Sequence, residues 1–213
     1  MSGNNEFLDY VVANPPDADE VVRLLSKAFS EAEPPAVAMA LSFGEMKQFL
    51  QSIAPTIIPF GLTIICRSDT GQMAGALLTD DFASPSPIDG AGISAKFLPI
   101  LAMLELLDEQ FRNGRTISLG EYLHLFMLGV DAQFSGRGVG QGLVKTCLEN
   151  GCRKRYRMAI TEATGKVSQH IFRKNGFVDR FSVSYVDYKY ENEPVFASIR
   201  DHEKAILMER LLA

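Results

Sequence analysis

From Ser135 to Gln141 the chain reads SGRGVGQ, with glycines at 136, 138 and 140 and Arg137 between the first two. Without Cβ atoms, alternating glycines let backbone N–H groups approach a phosphate closely. The segment before them, Leu125 to Val130 (LFMLGV), is six residues of low polarity, the length of a buried strand. The segment after them sets Val139, Leu143 and Cys147, with Val144 and Leu148 alongside, at the spacing of one helical face. Strand, turn and helix in that order bring unpaired amides and the positive end of a helix dipole to one point, which is an anion site. The same glycines could also serve a tight turn with no ligand. Two familiar phosphate loops do not match, because no Lys-Ser/Thr pair follows the last glycine and no G-x-G-x-x-G is present. The helix is expected to stop at Asn150-Gly151, two residues that tolerate a left-handed backbone.

Other reactive residues are scattered. His124, His170 and His202 stand apart, and Cys66, Cys147 and Cys152 are odd in number with no metal-ligand spacing, so no metal is expected and the cysteines read as thiols. The basic run Arg153-Lys154-Arg155-Tyr156-Arg157 could meet a phosphate, or could be a solvated turn whose charges favour the C-terminal end of the preceding helix.

Composition bounds the answer. The 213 residues suit a single domain, 1–213, ahead of two small ones, and 46% hydrophobic with 22% charged residues suits a globular core. A net charge of -5 argues against general nucleic-acid binding. No uncharged apolar stretch reaches the ~18 residues that cross a bilayer, so no membrane partner is expected. The start, MSGNNEFLDY, lacks a basic and apolar leader, and the expected compartment is the cytoplasm.

The elements that must position the loop follow from periodicity. A first strand at 7–13 leads into a helix with Val21, Leu24, Leu25, Ala28 and Phe29 as its stripe, broken at Pro34-Pro35. A second helix is expected over 36–51, a linker over 54–60, a hairpin from 62–67 and 73–81 around a polar turn, a loop at 84–90 and a helix at 97–111. After the glycine loop come a strand at 158–161, a helix at 167–174 and a strand over 182–190. Lys204 to Leu212 reads as strand or helix. This order is α/β with a mixed sheet.

Ser135-Gly136-Arg137-Gly138-Val139-Gly140 resembles the acetyl-CoA loop of the GCN5-related N-acetyltransferases (GNAT), (Gln/Arg)-x-x-Gly-x-(Gly/Ala), with Ser135 in place of the first Gln or Arg. More narrowly, the chain resembles the invertebrate arylalkylamine (dopamine-type) N-acetyltransferases. Ala28-Phe29-Ser30-Glu31-Ala32-Glu33-Pro34 is similar to that group's segment ending in Asp-Glu-Pro. Leu106 to Phe111 is similar to their inserted helix, and Tyr185 to Lys189 with Pro194-Val195-Phe196 to their closing segment.

The resemblance implies the GNAT fold, a mixed central sheet whose two central strands splay apart between flanking helices. It implies acetyl-CoA as co-substrate, its pantetheine arm held by the backbone of Leu128, Gly129 and Val130. Its pyrophosphate would be cradled by Gly136, Arg137, Gly138, Val139, Gly140 and Gln141. Glu33 falls on the subgroup's catalytic glutamate, although Ala32 replaces the aspartate and Pro35 the usual leucine. Phe172 stands where many members carry a tyrosine that protonates the departing thiolate, and Ser168 and Thr164 are the nearest matches to the hydroxyls of the dopamine-type enzymes. Ser168 could equally be a helix cap. The implied activity is direct acetyl transfer to a small primary amine, an arylalkylamine first. A polyamine or peptide acceptor, or an acyl-CoA sensor without turnover, are the alternatives.

Overall fold

The computed structural model describes residues 7–85 and 93–212. Seven strands form one mixed sheet: β1 (Leu8–Val12), β2 (Ile64–Ser68), β3 (Met73–Asp81), β4 (Tyr122–Val130), β5 (Met158–Ala163), β6 (Val178–Ser184) and β7 (Lys204–Leu211). Their spatial order is β1-β2-β3-β4-β5-β7-β6, and only the β4–β5 pair is parallel. On one face lie α1 (Ala18–Ala32), α2 (Pro34–Ala38), α3 (Phe43–Ile57) and α4 (Leu98–Arg112), built around Leu25, Leu50, Ile53, Met103 and Leu107. On the other lie α5 (Val139–Arg153) and α6 (Lys166–Lys174), built around Leu143, Val144, Cys147 and Phe172.

Beyond His124 the central strands part. Only Tyr122↔Met158, Leu123↔Ala159 and His124↔Ile160 pair across β4 and β5. Two features force this. The β3–β4 register slips between Leu78↔Met127 and Thr79↔Leu125, leaving Phe126 as an extra residue that bends β4. Meanwhile β5 keeps its pairing with β7 from Met158↔Leu211 to Ala163↔Ile206, so it cannot follow β4. The fork is pinned at its base by Thr161, whose buried Oγ1 donates to the Leu125 carbonyl at 2.8 Å.

Several elements depart from the sequence expectation. The helix expected over 36–51 is two helices, α2 and α3, and α3 runs through Pro55 to Ile57, where a linker was expected. Pro55 is exposed near the end of α3, and the bond it forfeits is to the carbonyl of exposed Gln51, which water can satisfy. The strand expected over 182–190 ends at Ser184, after which Tyr185 turns into the core against Phe196. Lys204–Leu211 is a strand inserted between β5 and β6; Ala205 to Met208 are all buried, so the segment has no alternation to read. Helix α5 continues past Asn150-Gly151 to Arg153. Gly151 is there for close packing, since a Cβ would come within 2.6 Å of Leu123 Cδ2. The loop expected at 84–90 falls largely outside the described residues.

No helix among the described residues is long and apolar enough to cross a membrane. The contact that seats α1 on β4 is testable. A Cβ at Gly129 would sit 2.7 Å from Leu25 Cδ2 and 3.2 Å from Ala28 Cβ. Overpacking of this kind costs about 1–3 kcal/mol, so Gly129→Ala should lower the denaturant midpoint of unfolding without changing the slope.

Candidate functional site

The fork opens into a cavity of about 460 Å³ between β4, β5, α1, α3 and α4. Phe49, Phe97, Leu101, Leu104 and Phe126 supply much of its wall, with Phe49 and Phe97 stacked at 4.6 Å between centroids. Leu128, Gly129 and Val130 line it as well. On one edge these three residues pair with β3, through Leu77↔Leu128, Ala76↔Gly129 and Gly75↔Val130. Their other edge faces the gap that β5 has left, so backbone polar groups there require a partner that is not a strand of this sheet. An extended, amide-bearing chain such as a pantetheine arm fits that edge.

The glycine loop divides its work. Asp131 caps a short 3-10 turn at Ala132–Phe134 by accepting from the Gln133 amide at 2.9 Å. Gly136 (φ 75°) and Gly138 (φ 81°) then hold left-handed conformations, and a Cβ at either would meet nothing within 4 Å. They are glycines for backbone shape, with open space in front of them. Gly140 differs: its Cβ would lie 2.9 Å from Ile171 Cδ1, so this glycine lets α5 lie against α6. The first bond of α5 is Gly142 N–H to Gly138 O at 3.0 Å, which leaves the amides of Val139, Gly140 and Gln141 ahead of the helical ladder. These amides fit a diphosphate. Gln141 itself accepts through Oε1 from Asn175 Nδ2 at 2.7 Å, and the Arg137 guanidinium lies 5.3 Å from the Phe134 ring. The basic run at 153–157 is at the opposite end of a 15-residue helix, about 22 Å away.

Glu33 is positioned by the prolines after it. A residue before proline is driven to extended conformation, and Glu33 (ψ 123°) ends α1 and caps α2. Its Oε2 accepts from the Ala36 amide at 2.6 Å, and the Thr164 hydroxyl donates to the same carboxylate. Burial pushes the Glu33 carboxyl up to about 7, and these two hydrogen bonds only partly oppose it. Glu33, Thr164 and Ser168 all line the cavity. The Ser168 hydroxyl donates to Gly165 O at 2.9 Å and accepts from Gly165 N–H at 3.3 Å, so it is engaged in capping α6. Phe172 is buried against Phe177 and reaches the same cavity. The hydroxyl of buried Tyr185 donates to Thr164 O at 2.6 Å, and burial raises its pKa far above that of a free phenol.

Two features were not foreseen from the sequence. His202 lines the cavity mouth and accepts through Nδ1 from the Lys166 amide at 3.1 Å. At the base of the fork His124 donates to two carboxylates at 2.8 Å each, Asp80 through Nδ1 and Glu162 through Nε2. Burial alone would lower the His124 pKa, but Glu162 and Asp80 outweigh it and hold the ring well above the usual value. Asp108 of α4 lies beside Glu162, and burial followed by that neighbouring charge raises its carboxyl to about 8. Glu162 is on the cavity wall. Four residues this far apart in sequence leave no spacing to detect; the sole hint was a histidine on the central strand.

No protein-family model matches the chain. Solved structures match it along almost its whole length. The C-terminal condensation domain of Ebony, in complex with beta-alanyl-dopamine, is 16% identical, with 97% of this chain and 99% of that chain covered and a TM-score of 0.88. Arylalkylamine N-acetyltransferase 2 from Aedes aegypti is 21% identical over 99% of this chain and 100% of that chain, with a TM-score of 0.83. A Drosophila melanogaster polyamine N-acetyltransferase that forms N-acetylagmatine is 19% identical over 97% and 100%, with a TM-score of 0.75. The likeness shows the fold, that of the GNAT enzymes.

The Glu33 environment has a direct readout. Carboxyl carbon NMR should find Glu33 titrating near pH 7 in the free protein. Thr164→Val removes a donor to the ionised form, so the midpoint should move higher. A midpoint in the ordinary carboxylate range would contradict the burial argument. In the unfolded chain the group titrates near 4.5, so its burial lowers stability as pH rises from there to about 7, and the loss is complete above that.

Proposed function

We propose that this protein is an acetyl-CoA-dependent N-acetyltransferase that moves acetyl directly to a small primary amine, an arylalkylamine by preference. The observation that carries the reading is Glu33, a carboxylate on an apolar cavity wall with its pKa pushed up to about 7. An alkyl ammonium holds its proton to a pH near 10, so this base lies about 3 units from its target, against about 6 for an ordinary carboxylate. Above pH 7 Glu33 is ionised and accepts the ammonium proton, and the Thr164 hydroxyl and Ala36 amide hold the carboxylate in place.

Acetyl-CoA would supply the acyl group as a thioester, held along the free edge of β4 by Leu128, Gly129 and Val130 and at its diphosphate by the loop at 136–141, chiefly through the amides of Val139, Gly140 and Gln141. An N–H on that edge would also stabilise the thioester oxygen as charge develops. Among the described residues lining the cavity none is a cysteine, which favours attack by the amine itself over an acyl-enzyme. Phe172 has no proton to give and the hydroxyls of Ser168 and Tyr185 are engaged with backbone carbonyls. A thiol pKa near 8.5 lets the leaving group depart as thiolate and take its proton from water. The stacked Phe49 and Phe97 rings, with Phe126, suit an aromatic acceptor.

A second reading draws on the TM-score of 0.88 to a condensation domain solved with beta-alanyl-dopamine. The donor would then be an aminoacyl thioester, and Glu33 would serve the incoming amine in the same way.

The test is thiol release with acetyl-CoA and with a β-alanyl thioester, across arylalkylamine, polyamine and peptide acceptors. The expected result is turnover of acetyl-CoA with aromatic amines, kcat rising with pH through about 7. Glu33→Gln should lower kcat/KM by about 100-fold or more and remove that rising limb. Turnover only with the β-alanyl thioester would select the second reading. Acetyl-CoA that stabilises the fold, by about 2.7 kcal/mol at ~100-fold over its Kd, with no thiol released would identify a sensor and overturn both.

A further inference from the structure

The base of the fork holds more polar chemistry than acyl transfer at Glu33 requires. Asp108 Oδ1 and Glu162 Oε1 are buried side-chain atoms with no hydrogen-bond partner in the structure. They belong to neighbouring carboxyls on α4 and β5, and of the two residues Glu162 is the one on the cavity wall, so its Oε1 is an acceptor there with no donor bonded to it. The Glu162 side chain is 6% exposed, and its other oxygen accepts from His124. A carboxylate has about four lone-pair sites, and the His124 contact uses one.

The surroundings decide what kind of group the remaining sites suit. The two charges of Asp80 and Glu162 are opposed by two cations, the His124 imidazolium between them and the Arg112 guanidinium, which acts on the adjacent Asp108. A second ammonium or guanidinium would find its counter-charge already compensated. Spare lone pairs remain, in a wall whose neighbours are Ile100, Leu101, Leu104 and Phe126. An uncharged hydroxyl donor fits; an apolar group pressed against the carboxylate would strip its hydration and return nothing.

Distance along the strand agrees. Thr164, which bonds Glu33, lies two residues beyond Glu162, and two residues of extended chain span about 7 Å. That is on the order of the reach from the nitrogen to the ring hydroxyl of a phenylethylamine. The aromatic ring would lie between, among the phenylalanines.

Resting on the acceptor reading above, we propose that Glu162, backed by His124 and Asp108, is the specificity residue of the acceptor pocket and selects arylalkylamines that carry a ring hydroxyl. Glu162 accepts the hydroxyl at one end while Glu33 faces the amine at the other. Removing the hydroxyl leaves a desolvated carboxylate short of a partner, the situation in which polar sites discriminate most sharply.

The experiment compares tyramine with phenethylamine, which differ only in that hydroxyl, by calorimetric Kd and by kcat/KM. Wild-type protein should favour tyramine by about 10- to 100-fold, the range of a hydrogen bond to a charged group. Glu162→Gln should shrink the ratio to a few-fold, mainly by weakening tyramine. Asp108→Asn is the second variant should the first not fold, and it should shrink the ratio less. Equal Kd values for the two amines in the wild type, an unchanged ratio in the folded variants, or tighter binding of agmatine than of tyramine would overturn the assignment. The Kd ratio does not depend on turnover. Discrimination without thiol release would sink the acetyltransferase reading alone, and turnover without discrimination would sink this one alone.

Discussion

Two parallel strands that pair over only three residue positions govern this molecule. Backbone N–H and C=O groups must be paired or hydrated, and a sheet normally meets that demand from within. Here β4 is bent by the bulge at Phe126, while β5 is held straight by six consecutive pairs with β7. Neither strand can close the gap, and the edge of β4 is left open inside the fold. The contact between Thr161 Oγ1 and the Leu125 carbonyl sets where the opening begins. An insertion that looks incidental, β7 between β5 and β6, therefore maintains the cavity.

The glycines follow from the same constraint. Gly129 brings α1 close to the open half of β4, so the helix that ends in Glu33 is delivered to the cavity wall. Gly140 brings α6 close to α5, so the helix behind Phe172 reaches the cavity from the other side. Of the three glycines in the loop, Gly136 and Gly138 are glycines because of backbone angle. What reads in the sequence as one motif serves two separate purposes, packing and loop shape.

Much of this was legible in the chain because it depends on local spacing. The LFMLGV strand, the loop at 135–141 and the stripe of α5 each announce themselves within a dozen residues, and Pro34-Pro35 marks where α1 must stop. Illegible parts depend on tertiary context. Asn150-Gly151 looks like a helix end, yet burial of Gly151 against Leu123 and of Asn150, whose side chain donates to Gly61 O at 3.0 Å, keeps the helix going. Lys204–Leu211 is buried on both faces, and a strand without alternation looks like any apolar run. The Asp80–His124–Glu162–Asp108 cluster draws on β3, β4, β5 and α4, so no window of sequence contains it.

Glu33 and Glu162 share one apolar cavity, and burial pushes both carboxyls toward the neutral form. The outcomes diverge because of what stands beside each. Glu33 meets only an amide and a hydroxyl, which partly offset burial, so its pKa remains near 7 and the group can take up and give back a proton. Glu162 meets the His124 imidazolium at 2.8 Å, which more than offsets burial and keeps the carboxylate charged. The proton that would have neutralised it resides on Asp108 instead. Separation of this kind leaves one carboxyl of the pocket able to exchange a proton near neutral pH and holds the other charged. It also accounts for a buried ionic cluster beside an apolar slot: without His124 there would be two proton-exchanging carboxyls and no fixed acceptor.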